Sequence, residues 1–385
     1  ETVTGNDSLL TALDSARTGH MRDIVSTIQA EQDVIIRSDS RGVLVVQGGP
    51  GTGKSVVALH RVAYLLYEQR ERIARSGALV VGPNDEFLDY IDKVLPALGE
   101  TGVVLQSLGS LYPGVRTTTT DNNACAALKG SLVMADVIKL AIANRRRVPP
   151  TAIHLRIDGT PIDLTPHDVR AAMKRAGDTR KPYNQARVTF AKDLLTRLAE
   201  QLATKLRLNL EPETIRSLVA DIREDRDVRR EINLCWMPRT PEQLLTELFT
   251  RPDVLTAAAP QLSAGQRRRL LREVGTEWSI SDVPLLDEAA ELLGDIDTGH
   301  NAAGSAQAAE RAREIAFAAQ TLADSGSAAS MITAEQYVDR FAAGADYVPV
   351  AERAGADRTW AYGHVVVDEA QELTPMQWRS IMRKC

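Results

Sequence analysis

Aromatic side chains are scarce in this 385-residue chain, at 4% of positions. That scarcity argues against a groove that stacks the bases of a single strand between rings. Cysteine is scarcer still: Cys125, Cys235 and Cys385 are odd in number, far apart and never arranged as CxxC. Neither a disulfide framework nor a structural zinc site is expected from them. The six histidines form no HExxH pair, which removes the common zinc-hydrolase pattern. No run approaches the roughly 18 apolar residues needed to cross a bilayer, and the first thirty residues lack the features of a secretory signal. A cytoplasmic protein without membrane contact is the expectation. Internal repeats are also absent. The chain begins at Glu1 without a methionine and stops at Cys385 soon after its strongest motif, the pattern of a fragment of a longer protein.

What is present is a hydrophobic content of 44%, enough for a large core divided over two or three domains. The net charge of −5 conceals segregation: about −4 over residues 1–115, about +7 over 116–284 and about −8 over 285–385. Residues 23–37 carry apolar positions near helical spacing. GVLVVQ at 42–47 reads as a buried strand, and VVALHRVAYLLY after it as a helix. ALVVGPN at 78–84, VVLQ at 103–106 and HVVVDE at 364–369 read as further strands, with a helix at 87–98. Strands alternating with helices predict a parallel α/β sheet. Between the last two strands, residues 116–284 are rich in Arg, Leu and Ala, which predicts a mainly helical insertion. The threonine run at 117–120 with Asn122 and Asn123 marks an exposed entry loop. Residues 294–330 are rich in Ala, Gly and Ser and predict a mobile loop joined to a helix at 302–324.

Two motifs carry chemistry. GGPGTGKS fits GxxxxGK[ST]: Gly48, Gly49, Pro50, Gly51, Thr52 and Gly53 let backbone N–H groups curl around phosphates at the start of a helix. Lys54 would reach the β and γ phosphates, and Ser55 would ligate Mg²⁺. VVVDEAQE then puts Asp368 and Glu369 at the C-terminal end of an apolar strand, where open α/β sheets bind ligands. Asp368 would hold the Mg²⁺ shell, and Glu369 would orient and deprotonate the attacking water. ATP is the expected nucleotide, with GTP as the alternative.

These residues resemble the superfamily 1 helicases of the UvrD and Rep type. The phosphate loop runs into His60 and Arg61 as it does there, and DEAQE, which includes Gln371, resembles the DExQ motif. TIQAEQ resembles the Q motif, which implies that Gln32 reads the adenine edge. A closer resemblance, carried by MRDIVSTIQAEQDVIIR, GPNDEFLDYIDKVLPALGE and YGHVVVDEAQELTPMQWR, is to the HelD family of helicase-like factors that bind bacterial RNA polymerase, in its actinobacterial form. It implies a RecA-like P-loop domain interrupted by a large helical insertion. Residues 1–22 would end an N-terminal arm, and 23–115 and 333–385 would form the two parts of the P-loop domain. Residues 116–284 would be the insertion, and 285–332 an acidic loop and linker helix. The implied activity is an ATPase that releases polymerase from stalled complexes. Val56 stands where UvrD-like enzymes carry arginine, and Glu372 where aspartate is commoner. The resemblance implies a second RecA-like domain outside this sequence that would supply arginine fingers, so this stretch alone is expected to hydrolyse ATP weakly.

In the insertion, the triplets at 145–147 and 267–269 read as solvated helix faces or as contacts to phosphates or an acidic protein surface. Trp236 and Trp278 read as core anchors. Asp287, Glu288, Glu291, Asp295 and Asp297 form an acidic element read as an exposed helix end followed by a linker. The HelD resemblance adds a sharper expectation, that Asp295 or Asp297 approaches the polymerase's catalytic metal. A conventional DNA translocase of the UvrD type, and a binding module that keeps a nucleotide site only for conformational control, are the competing functions.

Overall fold

The computed structural model describes residues 30–39, 41–69, 76–84, 102–296 and 350–385, with isolated positions at 73, 88–89, 92, 313 and 315–317. The chain is a mixed α/β protein that divides into two compact units. Unit 1 comprises Glu1–Ser131, Glu277–Pro284 and Ala343–Cys385, and unit 2 comprises Leu132–Thr276 and Leu285–Ala342.

Unit 1 is built on a parallel three-stranded sheet. β1 (Ala78–Gly82) lies between β2 (Val103–Ser107) and β7 (His364–Val367), with Leu79 opposite both Val104 and Val365. Every residue of β1 is buried, which is why its run is continuously apolar rather than alternating. On one side, Leu59, Val62, Leu65 and Leu66 of α2 (Lys54–Glu68) pack against Ala78 and Val80. Their spacing is that of one helical face, and burying each such side chain contributes about 1.5–3 kcal/mol. On the other side, Leu79, Val81 and Val104 meet Val283, Tyr362 and Ile381. Helix α1 (Ala30–Ile36) precedes the phosphate loop, and α13 (Val350–Ala356) and α14 (Pro375–Ile381) flank β7 in sequence.

The expected strand at 42–47 does not form. Residues 43–49 lie in no strand, and Val43 and Val45 are 84% and 73% exposed. No strand among the described residues offers this segment a hydrogen-bonding ladder, and β-branched composition alone cannot supply one. The threonine run is a loop only at its end, because Thr120 to Asn122 lie in no element while the preceding threonines form a strand. β3 (Thr117–Thr119) pairs in parallel with β6 (Trp278–Ser279), and Asn122 caps α3 (Asn123–Lys129) by accepting from Cys125 N at 2.9 Å. Trp278 is therefore a half-buried strand residue rather than a core anchor. Where the chain leaves unit 1 and returns to it, the Lys129 Nζ lies 2.8 Å from Asp121 Oδ2 and 2.8 Å from Asp282 Oδ1. The lysine side chain is 4% exposed and that of Asp282 is fully buried.

Unit 2 is mainly helical. Its helices include α4 (Val133–Ala143), α5 (Pro166–Asp178), α6 (Tyr183–Lys205), α7 (Pro212–Glu224), α8 (Arg226–Cys235), α9 (Pro241–Thr250), α10 (Pro252–Ala258) and α11 (Ala264–Leu270). Trp236 anchors the core, with the Tyr183 and Phe190 rings each 5.2 Å away, centroid to centroid. An antiparallel hairpin of β4 (Ile153–Ile157) and β5 (Thr160–Leu164) interrupts the helices. Its turn is Asp158–Gly159, both at positive φ, as the tightest hairpins require.

The acidic element is not uniformly solvated. Asp287 and Glu288 are buried on α12 (Val283–Leu293), because that helix also buries Leu285, Leu286, Ala289, Ala290 and Leu293 and so covers more than one face. Gly294, at φ +64, ends the helix and its carbonyl accepts from Asn184 Nδ2 at 2.7 Å. Asp295 is exposed, whereas Asp297 lies outside the described residues. Of the expected helix at 302–324 only 313 and 315–317 are described, and these are helical. Residues 1–29 and most of 87–98 also lie outside. No described helix is long and apolar enough to cross a membrane.

Candidate nucleotide-binding site

Six of the described helices begin on a side-chain cap. Asn122, Thr165, Asp225, Thr240, Ser263 and Thr374 each accept a first-turn N–H. Helix α2 begins differently, on Gly53 with φ +82 and no side-chain cap. The first backbone bond of the helix is from Val57 N to Gly53 O at 2.9 Å, so the N–H groups of Lys54, Ser55 and Val56 precede any intrahelical acceptor. No acidic residue occupies this first turn. The positive end of the helix dipole and these donors together form an anion cradle.

The loop before it favours glycine through a close approach at Gly48 and positive φ at Gly51 and Gly53. A Cβ at Gly48 would come within 2.6 Å of Thr52 Oγ1, and one at Gly53, already at positive φ, would meet Gln32 Nε2 at 3.2 Å. Thr52 Oγ1 donates to Gly49 O at 2.9 Å and tightens the turn. Lys54 Nζ donates to the carbonyls of Gly48 and Gly49 at 3.0 and 3.1 Å, which holds the ammonium at the mouth of the loop.

Two distant segments complete the site. Ser55 Oγ donates to Asp368 Oδ2 at 2.8 Å, across 313 residues of sequence. Asp368 is fixed by its own backbone N–H, which extends the sheet ladder by donating to Val81 O at 3.0 Å. Glu369 then turns into the left-handed region at φ 49, a conformation costing a non-glycine residue about 1–2 kcal/mol. Its N–H donates to Asp368 Oδ1 at 2.9 Å, and Gln371 Nε2 donates to Glu369 Oε2. The turn directs the Asp368 and Glu369 carboxylates differently, one on Ser55 and one on Gln371. No group of three or more His, Cys, Asp or Glu among the described residues could hold a metal alone. The oxygen pair Ser55 and Asp368 suits a hard cation that takes its remaining ligands from phosphate and water.

Gln32 joins from the other side. Its Nε2 donates to Thr52 O at 3.1 Å, which places the amide against the phosphate loop. In the sequence Arg61 stands out only as part of a family pattern, but the structure gives it a positioning role. Arg61 is buried, and its guanidinium donates to Ile35 O, Ile36 O, Ser38 O and Oγ, and Asp39 O at 2.8–3.2 Å. It thus satisfies the C-terminal carbonyls of the helix that carries Gln32. Burial holds the Arg61 pKa below its usual value despite the Asp39 charge, and burial likewise lowers that of His60. The site thus joins Gln32, Lys54, Ser55, Asp368, Glu369 and Gln371. The acidic element of unit 2 belongs to a separate unit.

No protein-family model matches the chain, and no curated protein matches it.

Proposed function

We propose that this chain is the ATP-binding and ATP-hydrolysing half of a HelD-like cytoplasmic factor that binds bacterial RNA polymerase and releases it from stalled or non-productive nucleic-acid complexes. In this reading unit 1 is a RecA-like P-loop domain and the helical unit 2 is its insertion. The observation that carries the nucleotide assignment is the 2.8 Å contact between Ser55 Oγ and Asp368 Oδ2, because it joins the two halves of a P-loop hydrolase site that the sequence keeps 313 residues apart.

The chemistry follows from the residues. The first-turn N–H groups of α2 and the Lys54 ammonium neutralise the β and γ phosphates. Ser55 and Asp368 are the ligands the chain offers Mg²⁺, which when bound supplies charge neutralisation across the phosphates. Glu369 accepts the proton of the attacking water, and Gln371 holds that carboxylate in position. In this reading Gln32, whose amide donates to Thr52 O, reads the edge of a purine, and ATP suits it better than GTP because an amide matches the donor–acceptor edge of adenine. The polymerase assignment rests on the resemblance in residues 20–115 and 335–385 and on the basic, aromatic-poor insertion.

Affinity capture with the protein purified from its host, with and without ATP, tests the partner. Co-purifying polymerase subunits whose retention changes with ATP are the expected result. No polymerase subunits, together with unwinding of a tailed duplex, would instead establish a DNA translocase of the UvrD type.

A further inference from the structure

Unit 2 contains a cavity of about 370 Å³ whose charged lining is mostly cationic: Arg145, Arg147, Arg239 and Arg251 line it, against the carboxylates Glu247 and Asp253. The volume falls in the range of small-ligand sites. We infer that this cavity is a binding site for the phosphate monoester of a small organic molecule, separate from the phosphate loop.

The carboxylates organise the arginines without neutralising them. Glu247 Oε2 accepts from Arg145 Nη1 at 2.5 Å and lies 3.7 Å from Arg239 Nη2, while Oε1 accepts from Arg251 at 3.3 Å. Arg251 also pairs with Asp253 at 2.7 Å. Burial raises the pKa of Glu247, but the Arg145 hydrogen bond and the charges of Arg145, Arg239 and Arg251 outweigh it, so this carboxylate stays ionised. Four cations against two anions leave two positive charges, the complement of a phosphate monoester dianion.

Donors are also left over. Arg145 Nη2 and Arg239 Nε are buried and have no hydrogen-bond partner among the described residues, and the Arg145 side chain is 12% exposed. A buried guanidinium N–H left unpaired is costly, and an oxyanion satisfies several at once through the planar fork. Arg147 is exposed at the rim, and its side chain makes no ion pair among the described residues. Apolar groups complete the wall, including Ala141, Met237 and Val254. They give the organic body of a monoester a surface that inorganic phosphate cannot use. The four arginines gather around one half-open cavity rather than along an extended basic track, which favours a small molecule over a nucleic-acid backbone.

Calorimetry on the Lys54→Ala chain, in which the phosphate loop is silenced, tests the site with three probes: inorganic phosphate, phenyl phosphate and a 5′-phosphorylated single-stranded oligonucleotide. The expected result is one-to-one binding of phenyl phosphate, tighter than inorganic phosphate. Arg239→Gln and Arg147→Gln should each weaken it about tenfold, the value of one charge-assisted hydrogen bond. Arg268→Gln, an exposed arginine of the other triplet, should leave it unchanged. Arg147 lies at the rim, so its variant keeps the test valid even if Arg239→Gln perturbs folding. No binding of phenyl phosphate, binding indifferent to Arg147→Gln, or binding of the oligonucleotide alone would overturn the inference.

Discussion

Replacing Arg61 with alanine should damage the proposed nucleotide site without removing any of its proposed ligand-binding groups. The Nη1 nitrogen lies within 2.8–3.2 Å of four acceptors and Nη2 donates to Asp39 O at 2.8 Å. Nη1 carries two hydrogens, so about three of these bonds act at full strength. Each bond from a charged donor contributes about 1.5–3 kcal/mol, and burial of the cation offsets part of the sum. The net expectation is a loss of about 3–4 kcal/mol, a large share of the roughly 5–15 kcal/mol that holds a typical domain together. The Arg61→Lys variant, whose single nitrogen is unable to span from Ser38 to Asp39, should recover about half. Because α1 is too short to persist without tertiary support, its amides should lose protection and Gln32 should lose its position. Urea unfolding, amide exchange over residues 30–39 and the affinity for a fluorescent ATP analogue measure the three effects. An Arg61→Ala chain whose stability stays within about 1 kcal/mol of the parent, with unchanged protection at 30–39, would refute the reasoning.

Three further outcomes follow from particular contacts. Glu369→Gly removes a left-handed side chain and should raise stability by about 1 kcal/mol while abolishing nucleotide hydrolysis, read by thermal unfolding and phosphate release; a lower melting temperature would contradict the strain assigned to φ 49. Lys129→Met leaves the Asp121 and Asp282 carboxylates without their cation and should cost about 3–5 kcal/mol at neutral pH, measured by urea unfolding. In the parent chain burial pushes the Asp121 pKa up, but hydrogen bonds from Lys129 and Ser279 and the Lys129 charge leave it below its usual value. Its contribution is therefore full above the usual carboxylate range and is lost as pH falls through the folded value, whereas Lys129→Met should reverse that slope and gain stability on acidification. Gly130→Ala places a Cβ within 2.5 Å of Thr374 Cγ2 and should cost about 1–3 kcal/mol, whereas an unchanged melting temperature would show that Thr374 moves aside freely.

That GGPGTGKS and the DE pair belong together was legible because each alone is ambiguous but the two are complementary, and the structure places Ser55 Oγ 2.8 Å from Asp368 Oδ2. β1 was legible because a strand buried on both faces must be continuously apolar, and β2 and β7, only partly buried, were legible as short β-branched runs that pair with it in parallel. Residues 42–47 carry the same composition yet form no strand, since pairing depends on a neighbour that composition cannot reveal. The β4–β5 hairpin was missed although Asp158–Gly159 between alternating apolar residues is a strong turn signal; the surrounding helical composition obscured it. The acidic element misled because charge suggests solvent, whereas Asp287 and Glu288 lie on buried faces of an apolar helix. Arg145, read from the sequence as either a solvated face or a contact to phosphates or an acidic surface, is half-buried and bonded to Glu247 within its own unit, a partner 102 residues away that composition could not reveal. Arg61 could not have been assigned from sequence, because its partners are backbone carbonyls with no residue signature.

The most direct test of the nucleotide site is titration of the chain with a fluorescent ATP analogue in the presence and absence of Mg²⁺. Saturable one-to-one binding that strengthens with Mg²⁺, disappears in Lys54→Ala, and loses its Mg²⁺ dependence in Ser55→Ala is the predicted result. Absence of binding, or binding that Lys54→Ala leaves intact, would contradict the account.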